Sequence, residues 1–304
     1  MRLVFFGSPA FALPTLEAVL GAGHHIGLVV TQPDRPAGRG QKPTRSAVAA
    51  YAHQHSLPIW QTSSLRGQEA QDRLTAVGAE AMVLAAFAAL VPSNVLGLAP
   101  RGILNVHPSL LPRWRGAAPI QAALRAGEPE TGVSIIQLVK ALDAGPIFLQ
   151  ERLPIGTDDD YLSLEPRLAA LGARLLVRTL AEQPQPVPQD EAGVTLAPRI
   201  ARDDARIDWS SAAHAIRNQV RAYRAWPQAF TTWDGRQLKV LRAGALPHEA
   251  GAAPGQVSVI DGVPVVATGA GRLRLDEVQL EGKRALSGAA FLRGYAAFEG
   301  ANLA

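Results

Sequence analysis

Short apolar runs alternating with helix-like segments constrain the first half of this chain. Arg2 to Phe6, Ile26 to Val30, Pro58 to Trp60, Ala81 to Phe87 and Ile103 to His107 read as strands. Between them, Ala47 to His55 and Leu65 to Val77 read as helices, with Ala117 to Ala126 and Leu162 to Glu182 further on. The opening turn Gly7-Ser8-Pro9 predicts a helix with Ser8 as its N-cap and Pro9 at its first position. Repeated strand–helix alternation implies a parallel α/β sheet with right-handed crossovers. Thr131 to Leu138 and Pro146 to Leu153 read as further strands. GSPAFA, after the first strand, lacks the second and third glycines of a dinucleotide fingerprint, so no nucleotide cofactor is expected.

The second half changes character. Gln183 to Pro198 is polar and rich in proline, and reads as a linker tending to polyproline geometry. Ser210 to Tyr223 predicts one helix, with Ala213, Ile216, Val220 and Tyr223 on one face. Short β-rich runs follow, two pairs of them separated by Asp234-Gly235 and Asp261-Gly262, which suggests a small barrel. Length, 304 residues, suits two domains of ordinary size. The expected division is a Rossmann-like parallel-sheet domain over 1–183, a linker over 184–204 and a small OB-like β-barrel over 205–304.

The chemistry concentrates near Leu104 to Ile120, LNVHPSLLPRWRGAAPI. Alternate residues of a strand share a face, so Asn105 and His107 project together at the strand's carboxyl end. Ligands of open α/β sheets gather at that end. Proline cannot donate to a ladder, so Pro108 stops the strand there. Asp143, in a turn before another apolar run, supplies a carboxylate. Together these residues offer a hydrogen-bond donor, an acid/base and an orienting charge. Cysteine is absent, which excludes thiolate chemistry and disulfides. The histidine pairs at 24–25 and 53–55 lack a third ligand, so no metal site is expected.

NVHPSLLPRWRGAAPI followed by LDAG resembles the formyltransferases that use 10-formyltetrahydrofolate. The longer block, with ETGVSIIQL, and the later ARIDWSSAAHAIRNQVRAYRAWPQAF and GKRALSGAAFLRG resemble the branch of that family acting on methionyl initiator tRNA. The resemblance implies a transferase that formylates the tRNA-borne methionine for translation initiation, with Asn105, His107 and Asp143 catalytic. It implies that Ser109, Leu110, Leu111 and Pro112 line the folate pocket. Arg113 and Arg115 are left between the folate's glutamate tail, tRNA phosphates and solvent. The chain departs from the family at Ala85-Ala86-Phe87-Ala88, where Tyr-Gly is common, and at Asp143-Ala144-Gly145-Pro146, where Asp-Thr-Gly-Asp is usual.

Charge adds a second clue. Nine basic residues face four acids between Arg199 and Arg242, a local +5 against +4 for the whole chain. That pattern fits contact with polyphosphate and equally fits an arginine-rich composition. The segment TQPDRPAGRGQKPTRS is long for a strand–helix connection and carries Arg35, Arg39, Lys42 and Arg45. The resemblance implies that this loop clamps the tRNA acceptor arm, and Arg217 and Arg221 of the second domain are further candidates for RNA contact. No apolar run approaches the roughly 18 residues of a membrane helix, no export signal opens the chain, and no heptad seam demands a dimer. A cytoplasmic monomer is therefore expected. Two other readings remain: a folate-dependent formyltransferase for an amino sugar or other small amine, and a non-catalytic RNA-binding protein on the same fold.

Overall fold

A computed structural model describes residues 1–37, 42–247 and 251–304. Its contacts form two units, one of residues 1–119, 130–154 and 165–197, the other of 120–129, 155–164 and 198–304.

In chain order, the elements begin β1 (Arg2–Gly7), α1 (Leu13–Gly21), β2 (His25–Thr31), β3 (Arg35–Ala37), β4 (Lys42–Thr44), α2 (Ala47–Gln54), β5 (Ile59–Gln61), α3 (Gln68–Ala76) and β6 (Ala81–Ala85). Then come α4 (Ser93–Leu96), β7 (Ile103–His107), β8 (Arg115–Gly116), α5 (Pro119–Ala126), β9 (Glu130–Gln137), β10 (Ile147–Pro154), α6 (Tyr161–Glu182) and β11 (Leu196–Ala197).

The first unit is a seven-stranded sheet in the order β10-β9-β7-β6-β1-β2-β5. The strands from β7 to β5 pair in parallel, as the alternation predicts. Leu3 to Phe6 of β1 are fully buried on both faces, which is the pattern of a strand covered above and below by helices. β9 and β10 depart from the expected direction: β9 runs antiparallel to β7, and β10 antiparallel to β9. Residues 138–146 alone connect β9 to β10, too few for the crossover that a parallel pair requires.

Ser8 does not cap a helix. Its hydroxyl accepts from the Gln32 backbone N–H at 3.1 Å and from the Thr31 hydroxyl at 3.2 Å, and so ties the carboxyl ends of β1 and β2. Ser46 is the cap, accepting from the Ala49 N–H at the start of α2. Beneath the centre of the sheet, α6 presses Gly172 onto β7. A Cβ at Gly172 would lie 2.5 Å from Val106 Cγ1.

In the second unit, α7 (Ala213–Ala222) precedes β12 (Phe230–Trp233), β13 (Arg236–Leu246), β14 (Val257–Ile260), β15 (Val263–Ala267), β16 (Arg272–Leu280), β17 (Leu286–Ser287) and α8 (Gly288–Gly294). The sheet order is β12-β13-β16-β15-β14, with β17 on β16. Both expected hairpin turns form with positive φ at each central residue, 49° and 69° at Asp234-Gly235 and 50° and 73° at Asp261-Gly262. Leu238, Val240, Val266, Leu273, Leu275 and Val278 pack against Ile216 and Val220 of α7 and Phe291 of α8. The sheet curls, and residues 301–304 lie between its edges. Leu303 N–H donates to Gly255 at 2.9 Å, Ala301 accepts from Val257, and Ala304 accepts from Thr232 of β12 at 2.9 Å.

Candidate active site

Asn105 and His107 emerge from the last turn of pleat in β7, 6% and 4% exposed. The Asn105 amide makes no hydrogen bond among the described residues. His107 does. Its Nε2 lies 3.0 Å from the Trp114 carbonyl, which can only accept, so Nε2 carries the hydrogen. Its Nδ1 lies 3.7 Å from Oδ2 of Asp143. Burial pushes the imidazole below its ordinary pKa, while the Asp143 carboxylate and the bond to Trp114 pull the other way. The neutral ring thus offers one free basic nitrogen, and that nitrogen faces a carboxylate.

Asp143 reaches this position by an indirect route. The 138–146 loop leaves β9 beside the amino end of β7, where Leu138 N–H donates to Ile103. Four residue steps, about 13 Å at the usual rise, separate that point from His107. The loop therefore arches back along β7. Asp143 takes a left-handed backbone, φ 45°, and its Oδ2 accepts from the Gly116 N–H at 2.8 Å. Gly145 lies so close to β9 that a Cβ there would sit 1.6 Å from the Gln137 carbonyl.

The loop after His107 is fixed from within. The Ser109 hydroxyl donates to the Arg113 carbonyl at 2.6 Å, and Ser134 donates to the Ser109 carbonyl at 2.7 Å. Gln150 donates to the Leu111 carbonyl at 2.9 Å. Ser109 and Leu111 are buried, so they shape the loop rather than line its surface. Leu110, against Gly132, and Pro112, against Gly193, are only half-buried and present apolar surface.

Arg115 is not free to take a phosphate or a glutamate tail. It is 6% exposed, and its guanidinium is shared between Gln189 and Glu191. Arg113 remains exposed, with its guanidinium 5.5 Å from the Trp114 ring centre. The expected RNA contacts divide similarly. Arg35 and Arg45 are exposed on the segment around β3 and β4. Arg39 and the Lys42 side chain lie outside the described residues. Arg217 and Arg221 are engaged within their own unit: Arg217 donates to Thr157 and pairs with Asp158, and Arg221 donates to the carbonyls of Gly156 and Asp159. Helix periodicity put these arginines off the apolar face but could not show which turn receives them.

The proline-rich stretch brings residues that sequence reasoning missed. Trp114 N–H donates to the Thr195 hydroxyl and Arg115 N–H to the Thr195 carbonyl, both at 2.9 Å. β11 pairs with β8, and Ala197 accepts from Ala117 at 2.8 Å. The Gln189 amide donates to the carbonyls of Asp143 and Gly145, both at 2.7 Å.

Residues 1–180 match the formyl transferase family, and residues 199–296 match formyl transferase, C-terminal domain. The chain is 44% identical over 305 residues to the methionyl-tRNA formyltransferase of Gluconobacter oxydans (strain 621H), covering 100% of both sequences. It is 46% identical over 299 residues to that of Solibacter usitatus (strain Ellin6076), covering 97% of this chain and 96% of the relative. Two solved structures share the fold. WlaRD, a sugar 3N-formyl transferase crystallised in the presence of dTDP and 5-N-formyl-THF, aligns with a TM-score of 0.67 at 15% identity over 93% of this chain and 99% of that one. The methionyl-tRNA formyltransferase from Clostridium thermocellum aligns with a TM-score of 0.55 at 15% identity over 83% and 95%. With a buried Asn–His–Asp site on a mostly parallel sheet and similarity running the length of the molecule, the chain belongs to the formyl transferase family and, within it, to the methionyl-tRNA formyltransferases.

Proposed function

We propose that the enzyme moves the formyl group of 10-formyltetrahydrofolate onto the free amino group of methionyl initiator tRNA, with Asn105, His107 and Asp143 at the reacting atoms. The convergence of the three side chains at the end of β7 carries this reading. The amine nitrogen bonds to the formyl carbon, and the bond from that carbon to N10 breaks. One proton leaves the amine and one arrives at N10. Charge gathers on the formyl oxygen as the tetrahedral intermediate forms, and the unengaged Asn105 amide donates to it. Such a donor contributes on the order of a hundred- to a thousandfold in rate.

His107 moves the proton. Burial keeps it neutral before reaction, so Nδ1 can accept the amine's proton. The resulting imidazolium sits between the Trp114 carbonyl and the Asp143 carboxylate, both of which favour its charge. It then releases the proton to N10. Asp143 stabilises the imidazolium once it has formed.

The exposed surfaces of Leu110 and Pro112 supply apolar contact for the folate rings, while Ser109 and Leu111 set the loop's shape. Arg35 and Arg45, with Arg39 and Lys42 between them, bind acceptor-arm phosphates. The donor acts as a co-substrate, and neither a metal nor a nucleotide cofactor enters the reading. The enzyme works as a cytoplasmic monomer; among the described residues, no helix is long and apolar enough to cross a membrane.

The test is turnover with 10-formyltetrahydrofolate and methionine-charged initiator tRNA, against uncharged tRNA and free methionine. Formylation of the charged tRNA alone is expected. Folate turnover with no formyl group on tRNA would redirect the site to a small amine. No folate turnover at all, with tRNA still bound, would leave an RNA-binding protein.

A further inference from the structure

Asp143 holds an unfavourable backbone conformation on a loop that turns back over the sheet. A left-handed backbone at a non-glycine residue is strained and persists only where its surroundings enforce it. The constraint is visible. The two N–H bonds of the Gln189 amide end on the carbonyls of Asp143 and Gly145, both at 2.7 Å. These carbonyls flank the turn that aims the carboxylate at His107. The amide is itself oriented, because its oxygen accepts from Nε and Nη2 of Arg115 at 3.0 and 2.8 Å. Arg115 is fixed in turn by Glu191, through bonds of 3.1 and 2.7 Å. Every polar atom of the Gln189 side chain is thus engaged. Its oxygen end faces a cation and its nitrogen end faces two carbonyls, an arrangement that only an amide satisfies.

The same segment steadies the other catalytic group. Thr195 accepts from the Trp114 N–H, and the Trp114 carbonyl receives the His107 Nε2 hydrogen. The 189–197 segment therefore touches the partner of His107 and the backbone of Asp143, although neither contact reaches a reacting atom.

We infer that Gln189 is a positioning residue for formyl transfer: its amide locks the 143–145 turn so that the Asp143 carboxylate meets His107. This rests on the assignment of Asp143 and His107 to the chemistry. The decisive variant is Gln189→Glu. It keeps the length and strengthens the acceptor side toward Arg115, but it sets a carboxylate against two carbonyl oxygens in place of two donors. A role confined to holding Arg115 would survive this change; the clamp would not.

The expected result is a fall in kcat of about ten- to a hundredfold, the scale of a displacement on the order of 1 Å at a reacting group, with KM for the charged tRNA unchanged. The acid limb of the kcat profile should move to lower pH, because His107 loses the carboxylate that supports its protonated form. Adding Gln189→Glu to Asp143→Asn should cost little more than Asp143→Asn alone. Wild-type kcat, or a loss of kcat with the acid limb unmoved, would overturn the inference. If Gln189→Glu does not fold, Gln189→Met, which keeps the length and lacks both donors, carries the same expectations. The two assignments fail separately. A fully active Asp143→Asn enzyme removes the catalytic reading itself, whereas an inactive Asp143→Asn beside a normal Gln189→Glu removes only the clamp.

Discussion

At the residue scale, His107 couples the chemistry to stability. Its pKa in the folded protein lies below the 6.5 of an ordinary histidine, chiefly through burial. The unfolded chain therefore binds the proton more readily, and stability should fall as pH drops below about 6.5 toward the folded-state value. Urea unfolding at neutral and mildly acid pH should show that slope, and His107→Gln should flatten it. Asn105→Ala should cut kcat by on the order of a hundred- to a thousandfold while tRNA binding, followed by filter retention, stays as in the wild type. These two residues were legible because a strand period puts alternate side chains on one face and Pro108 marks where the strand stops. Gln189 was not. It lies in a run of prolines and polar residues that reads as solvated, and its partner Arg115 is 74 positions away. Nothing local in the sequence encodes that meeting.

The elements show where tertiary contacts override local signals. Ser8 has the composition of an N-cap, yet the buried ends of β1 and β2 claim its hydroxyl, since an unsatisfied backbone donor there would cost more than a missing cap. The directions of β9 and β10 follow from a short connection that the alternation pattern hides. α6 illustrates the converse. Gly172 is a poor helix former, and its place in a helical run makes sense only because Val106 of β7 lies beneath it. Gly172→Ala should therefore destabilise by about 1–3 kcal/mol, the usual cost of overpacking, instead of gaining from alanine's helix preference. Denaturant midpoints at constant slope would measure it. Activity should fall as well, because a shift of Val106 moves the two residues that flank it.

Across the whole molecule, basic residues serve two different ends. Arg45 is exposed, and Arg45→Ala should reduce the slope of log affinity for tRNA against log salt by roughly 0.7–0.9 if one phosphate contact is lost. Arg221 has its guanidinium committed to carbonyls of the 156–160 turn. Arg221→Ala should leave the salt slope alone and lower the thermal midpoint, because the vacated carbonyls lose their donors. Titrations at several salt concentrations separate the two outcomes, and an unchanged slope for Arg45→Ala would remove that residue from the RNA interface. Net charge, visible in the sequence, could not make this distinction; only the direction of each side chain does.

The placing of residues 301–304 between Gly255 and Thr232 also bears on biosynthesis. A ribosome delivers the chain from its amino end, so β12 and the segment before β14 emerge long before the residues that join them. Until then Thr232 at one edge and Gly255 and Val257 at the other lack these backbone partners, and such open groups can capture a neighbouring strand. Closure of the curled sheet waits for residues 301–304, delivered long after the strands that they join.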